Sequence, residues 1–283
     1  LNLLLKNSIF FKLTAFAGLL LLSTTVNLCA KNPLRIVSLA PIATENIYLL
    51  GFEEQTIGIT LYCPQGKSPK EVIGTLLEPN LEKVVSLKPD IVFTSKEGNK
   101  KATVEKLRDL GLKVVVLDKV TDFDGICSNL MTVAKALNKE EYAKNIINTA
   151  KAELGKLKNS DYKQTVFMEI GSSPLITSGK NTFINDIVNY AGAKNIFSSS
   201  NTRYPSINPE EVVLVNPDII IILLMDSKDN YRKNYWLNFK NLKAAKNNSV
   251  YCINPEIIAN PTPLSFINAV KEIKKLVDST NKR

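Results

Sequence analysis

The chain has no histidine in its 283 residues. That absence removes Ser–His–Asp and Cys–His catalysis, and with them every metal cluster built on imidazole. Cysteine is scarce as well: Cys29, Cys63, Cys127 and Cys252 are widely spaced, with no CxxC for a zinc ribbon or a thioredoxin-like redox pair. Phosphate loops are missing too. In "SGKNT" at 178–182, Asn181 follows the lysine and Gly171 lies too far ahead of Gly179 for a Gly-x4-Gly-Lys-Ser/Thr loop. No GxSxG occurs, and nothing in the sequence fixes the separation of the carboxylates Glu169 and Asp186. An exported lysine- or carboxylate-dependent enzyme is the catalytic alternative that survives, without a motif in its favour.

Acids are outnumbered, 27 against 36 Lys and Arg, so the formal charge is +9. Lys6 and Lys12 precede the apolar "LTAFAGLLLL", which is too short to span a bilayer comfortably and is followed by the polar "STTVNLCAKN". Residues 1–30 therefore read as a secretory signal peptide cleaved after Ala30. An uncleaved anchor is one alternative. Lipid attachment at Cys29 is another, disfavoured by Leu28 where a small residue is usual. Removing residues 1–30 takes two lysines and no acid, so the exported body carries +7. A basic exported protein suits an anionic ligand or membrane surface, whereas nucleic acid is not expected in that compartment. The lysines are scattered along helices, a pattern that mostly means a solvated face.

What the chain does have is alternation. Short apolar strands ("RIVSL", "TIGIT", "DIVFTS", "KVVVL") are separated by amphipathic helices such as "NKKATVEKLRDLG", the mark of parallel βα units. Residues 139–158 break the rhythm. Tyr142, Ala143, Ile146, Ile147, Ala150, Leu154 and Leu157 fall at three- and four-residue steps, one stripe of a long helix. Alternation then resumes with "QTVFMEIG", "NTFINDIVNYAG", "DIIIILL" and "SVYCI", and a helix over about 262–278 closes the chain. One phrase occurs twice. "LEKVVSLKPDIVF" at 81–93 is matched by "PEEVVLVNPDIII" at 209–221, each copy having Asn as N-cap, Glu in the first turn and Pro–Asp before a strand. Glu82 and Glu210 thus have an ordinary reading as helix-terminus charges. The layout predicts an α/β fold of two Rossmann-like lobes joined by one long helix.

The segments "RIVSLAPIATENIYLLG", "IGITLYC", "PNLEKVVSLKPDIVF", "KLRDLGLKVVVLD", "PLITSGKNTFINDIVNYAGAKNIF" and "INPEEVVLVNPDIIII", in that order, resemble the periplasmic solute-binding proteins of ABC importers for cobalamin, ferric siderophores and haem. The resemblance implies a lobe at 34–136, a connecting helix at 137–160, a second lobe at 161–283 and a ligand cleft between the lobes. It implies a monomeric binding protein of the periplasm, not an enzyme. Such a protein carries no resident cofactor or metal, and its partners are a metal-chelate cargo and a permease–ATPase complex. By the same resemblance Glu82 and Glu210 dock the permease. The ligand candidates are Tyr62, Lys96, Arg203, Tyr204 and Trp236: aromatic faces for a corrin or porphyrin, cations for the carboxylates of a ferric chelate. Each has a plainer structural role open to it, in edge packing, loop solvation, ion pairing or helix anchoring. "GITLYC" favours a corrinoid. Ser95, Ile170 and Leu264 depart from the expected aromatic and arginine positions, which keeps ferric siderophore and haem as alternatives.

Overall fold

The apolar runs pair into two parallel sheets. The computed structural model describes residues 33–157, 164–223 and 229–281, and the expected signal segment with Cys29 lies outside them. Residues Leu34–Arg283 form one unit. In its first half, β1 (Ile36–Ser38), β2 (Thr56–Ile59), β3 (Glu71–Val72), β4 (Ile91–Ser95) and β5 (Val114–Leu117) pair in the order β3-β2-β1-β4-β5. In the second half, β6 (Gln164–Glu169) is followed by a small hairpin, β7 (Gly171–Ser172) and β8 (Leu175–Ile176). Then come β9 (Ala193–Asn195), β10 (Ile219–Leu223) and β11 (Val250–Ile253). Their sheet runs β11-β10-β6-β9, and every pairing in the two main sheets is parallel. All five residues of β4 and of β10 are buried, as expected for strands with helices on both faces.

Helices α1 (Pro41–Leu49), α2 (Leu81–Ser86), α3 (Lys101–Asp109) and α4 (Phe123–Leu137) accompany the first sheet. Next come α5 (Glu140–Leu157), α6 (Phe183–Tyr190), α7 (Pro209–Val215), α8 (Asp229–Leu237), α9 (Lys243–Lys246), α10 (Glu256–Ala259) and α11 (Pro263–Asn281). The long middle helix agrees with its apolar stripe to within a residue at each end. Helix α4 was not legible. Its first five residues include Asp124, Gly125 and Cys127, poor helix formers, yet Asp122 caps it by accepting from the Gly125 N–H at 2.8 Å.

The repeated phrase is a repeated joint. In the first lobe the Asp90 carboxylate accepts the Arg35 N–H at 2.7 Å, while the Asp90 N–H donates back to the Arg35 carbonyl at 2.8 Å. In the second, Asp218 accepts the Thr165 N–H at 2.9 Å and donates back at 3.1 Å. Each Pro–Asp step staples a strand to its neighbour just before pairing begins at Ile36↔Ile91 and Val166↔Ile219. The sheets therefore share one succession of strands, β2-β1-β4-β5 against β9-β6-β10-β11.

Both copies also turn out of the helix through a left-handed residue, Lys88 at φ 45° and Asn216 at φ 55°. Asparagine adopts that region readily, but a residue with a long aliphatic side chain is strained there by roughly 1–2 kcal/mol. Lys88→Asn is expected to raise the unfolding free energy by about 0.5–1 kcal/mol, and Asn216→Lys to lower it comparably. Urea melts at unchanged m-value would check both changes.

Candidate functional site

Parallel sheets expose loops and backbone donors at the carboxyl ends of their strands, and there the two lobes face each other. Ala40–Ile42 follow β1, Ser95 and Glu97 mark the end of β4, and Asp118–Val120 follow β5. From the other lobe come Ile170 after β6, Leu223 at the end of β10 and the 255–261 segment after β11. These residues enclose a cleft of about 430 Å³, within the usual size of a small-molecule site. Ile42, Leu76, Val120, Ile176, Phe183 and Ile184 make most of its wall apolar. Its two charged lining residues are acids, Glu97 and Asp118.

Neither cation expected from the sequence lines the wall, and each is paired with one of those acids. Arg203 reaches across from the second lobe, 24% exposed, and every nitrogen of its guanidinium is occupied. Nη1 donates to the two oxygens of Glu97 at 2.9 and 3.3 Å, Nη2 to the Val120 carbonyl at 2.7 Å, and Nε to the Asn181 carbonyl at 3.1 Å. Lys96 makes a single, exposed pairing with Asp118 within the first lobe. Glu97 itself is set by its N–H, which donates to Ser95 Oγ at 3.1 Å. Sequence reasoning missed Glu97 and Asp118. Their signal was positional: each is an acid within two residues of a strand's carboxyl end.

Tyr204 lines the cleft, with the Arg203 guanidinium 5.4 Å above its ring centroid. Burial raises its phenol pKa, with Arg203 pulling the other way. Tyr62 is 81% exposed and lies outside the cleft lining, on the turn after β2. Trp236 requires a correction. It is 0% exposed and sits in the second lobe's core, so it does not reach the cleft. Its Nε1 donates to Glu169 at 2.5 Å, and its ring meets Phe167 edge-on at 5.5 Å. Arg232 completes that network with bonds of 2.6 and 2.9 Å to Glu169. Sequence could not separate these roles, because the aromatic run "NYRKNYWLNF" serves equally well as a cleft lip or as an anchor for α8. Asp186 is engaged elsewhere, accepting the Phe123 N–H at 2.9 Å where α4 begins. Glu169 and Asp186 are thus each held in a separate structural bond. Glu82 and Glu210 are exposed in the first turns of α2 and α7, with no ion-pair partner among the described residues.

The family model described as periplasmic binding protein matches residues 36–257. A vitamin B12-binding protein of Pectobacterium atrosepticum is 34% identical over 201 residues, covering 67% of this chain and 71% of that protein. An uncharacterised ABC transporter substrate-binding lipoprotein of Bacillus subtilis is 28% identical over 259 residues, 87% of this chain and 81% of that one. The periplasmic vitamin B12-binding protein of Vibrio cholerae shares the fold with a TM-score of 0.72 at 23% identity, over 88% of this chain and 98% of that one. The periplasmic haem-binding protein of the same organism does so at 0.76 and 19%, over 86% and 98%.

The opposing lobes also bring two carboxylates within each other's field, one of them, Glu256, accepting from Asn254 Nδ2 at 3.2 Å. Glu45 of α1 is half-buried, and its pKa is raised first by burial and then by the charge of Glu256 on α10. A carboxylate with a raised folded-state pKa penalises the native state when ionised, so the penalty grows as pH rises above the ordinary carboxylate range. Glu45→Gln is therefore expected to raise Tm at pH 7–8 and to have little effect near pH 3, where both states are protonated. Thermal melts at the two pH values check the sign.

Proposed function

The chain belongs to the periplasmic binding protein family, and from that premise we propose that it is the extracytoplasmic substrate-binding component of an ABC importer. In this reading it works as a monomer, captures a corrinoid and hands it to a permease–ATPase complex. The supporting observation is the cleft: an apolar pocket between two lobes whose flanking cations are already bound to acids. A large, largely uncharged cargo fits such a wall, and relatives named for vitamin B12 binding agree with it. Residues 1–30 act as the export signal. The family and the relatives compared are binding proteins, so capture and release are the whole task, with no turnover.

Tyr204 offers a flat face from the wall, and Tyr62, exposed on the turn after β2, is the second aromatic of this reading. A haem reading would draw on the same tyrosines, since no histidine is present to hold iron. Iron prefers the phenolate form, and burial at Tyr204 favours the phenol. That preference supports the corrinoid reading over haem.

Two carboxylates present docking. Glu82 and Glu210 occupy equivalent positions of the two lobes, both in solvent and both without an ion pair among the described residues. Charges fixed on a stiff body set orientation and encounter rate when they meet arginines or lysines of a partner.

Calorimetric titration of the protein from Lys31 onward with cyanocobalamin is expected to give one-to-one, saturable heat. Tyr204→Ala should weaken it by at least about tenfold, or 1.4 kcal/mol. Absence of heat from folded protein would remove the corrinoid and bring ferric siderophores and haem forward. For docking, the double change Glu82→Lys and Glu210→Lys should leave cargo affinity intact. It should also cut stimulation of the cognate importer's ATPase in proteoliposomes by about tenfold or more. Undiminished stimulation would dismiss both residues as docking feet.

A further inference from the structure

The arrangement of charge along the cleft determines more than a fit. A binding protein for anionic chelates is expected to present cations to its cargo, free to form the strong charge-assisted bonds that guanidinium makes with carboxylates. Here the order is reversed. Glu97 and Asp118 are on the wall, and Arg203 and Lys96, both off it, are paired with them. Arg203 has no free pair of nitrogens for a forked carboxylate: two bind main-chain carbonyls and the third binds Glu97. An anionic cargo entering the cleft would meet a carboxylate first. To reach Arg203 it would have to displace Glu97, a partner from the opposite lobe already seated in good geometry. The apolar wall makes this costlier, because repulsion between like charges grows as the surroundings lose water.

We propose that Glu97 is a specificity-determining residue of the cleft: by occupying Arg203 it turns away chelates that carry carboxylate or catecholate charge and admits neutral or cationic ones. This rests on the cleft being the cargo site. Asp118 acts in the same direction and more weakly, since its partner Lys96 lies at the exposed surface. The Arg203–Glu97 pair also spans the lobes, so a simple strut is the competing explanation. The two roles separate by charge. A strut holds the lobes irrespective of what enters, whereas a screen acts only on charged cargo.

The test uses one macrocycle in two charge states. Haemin, with two free carboxylates, and haemin dimethyl ester, with none, are titrated into wild-type protein, into Glu97→Gln, and into Glu97→Gln combined with Arg203→Gln. The freed guanidinium is expected to tighten haemin binding by about tenfold in Glu97→Gln, to leave the ester's affinity unchanged between those two proteins, and to lose the gain in the double variant. Haemin bound no tighter by Glu97→Gln than by wild type, or a gain shared equally by the ester, would overturn the proposal. Asp118→Asn is a second arm should Glu97→Gln melt below working temperature, with a gain of about threefold confined to haemin expected and its absence counting against the screen. Cyanocobalamin titrated into wild type in the same series reports on the corrinoid reading by itself. Its failure would leave the haemin comparison intact.

Discussion

The separation of the two lobes depends on two helices that are buried in both cores at once. Along α4, Phe123, Ile126 and Cys127 join the core of the second sheet, while Leu130, Val133, Ala134 and Leu137 join that of the first. Helix α5 runs back the other way, with Ala143 and Ile146 in the first core and Ala150 and Leu154 in the second. Ile147, near its middle, packs against both. Each buried large aliphatic side chain contributes about 1.5–3 kcal/mol, so hinging the lobes apart would expose groups worth many times the thermal energy. A pair of helices roughly 20–27 Å long makes a stiffer back to the cleft than an extended strand would. Across the front, Arg203 ties the lobes at Glu97 and the Val120 carbonyl. The cleft is closed on one side by packing and on the other by charge.

That division explains what was legible in the sequence. Strands and helices whose signal is local, such as the all-buried β10 or the striped α5, read directly from periodicity. The repeated Pro–Asp announced related lobes, and the reciprocal bonds at Asp90 and Asp218 give it a physical meaning. Helix α4 was hidden because its apolar positions serve two cores, and its first turn is set by the Asp122 cap against weak propensity. The site was less legible still. Arg203 and Glu97 lie 106 residues apart in the chain, and only the packing of the lobes reveals that they neutralise each other. Trp236 misled for a related reason. An aromatic in a polar run looks available, until the buried Glu169 takes its indole N–H.

Equivalent positions in the two copies have drifted in a way that leaves one charge alone on each lobe. Beside Glu82, Lys83 is engaged with Glu71 at 2.8 Å. Beside Glu210, Glu211 accepts the Asn208 N–H at 2.8 Å as a capping residue. The flanking charge is consumed locally in both cases, by different means, and the first-turn carboxylate is left facing water. Helix-dipole stabilisation accounts for an acid at either position, at about 0.3–1 kcal/mol, but it works equally well with a paired acid. Dipole stabilisation alone does not call for the unpaired state of both.

The flanks then differ in kind. Next to Glu210, Leu214 is 86% exposed, while the equivalent place near Glu82 is Ser86. Scattered exposed leucines need no explanation, but one placed a single helical turn from an unpaired carboxylate would lose its water on docking together with that charge. The repeat thus supplies two similar charges at fixed spacing, and divergence supplies the larger exposed apolar side chain on the second lobe, Leu214 against a 40% exposed Val85 near Glu82. On the proposed docking surface such an arrangement would keep encounter electrostatic on both lobes, with the larger share of apolar burial on the second.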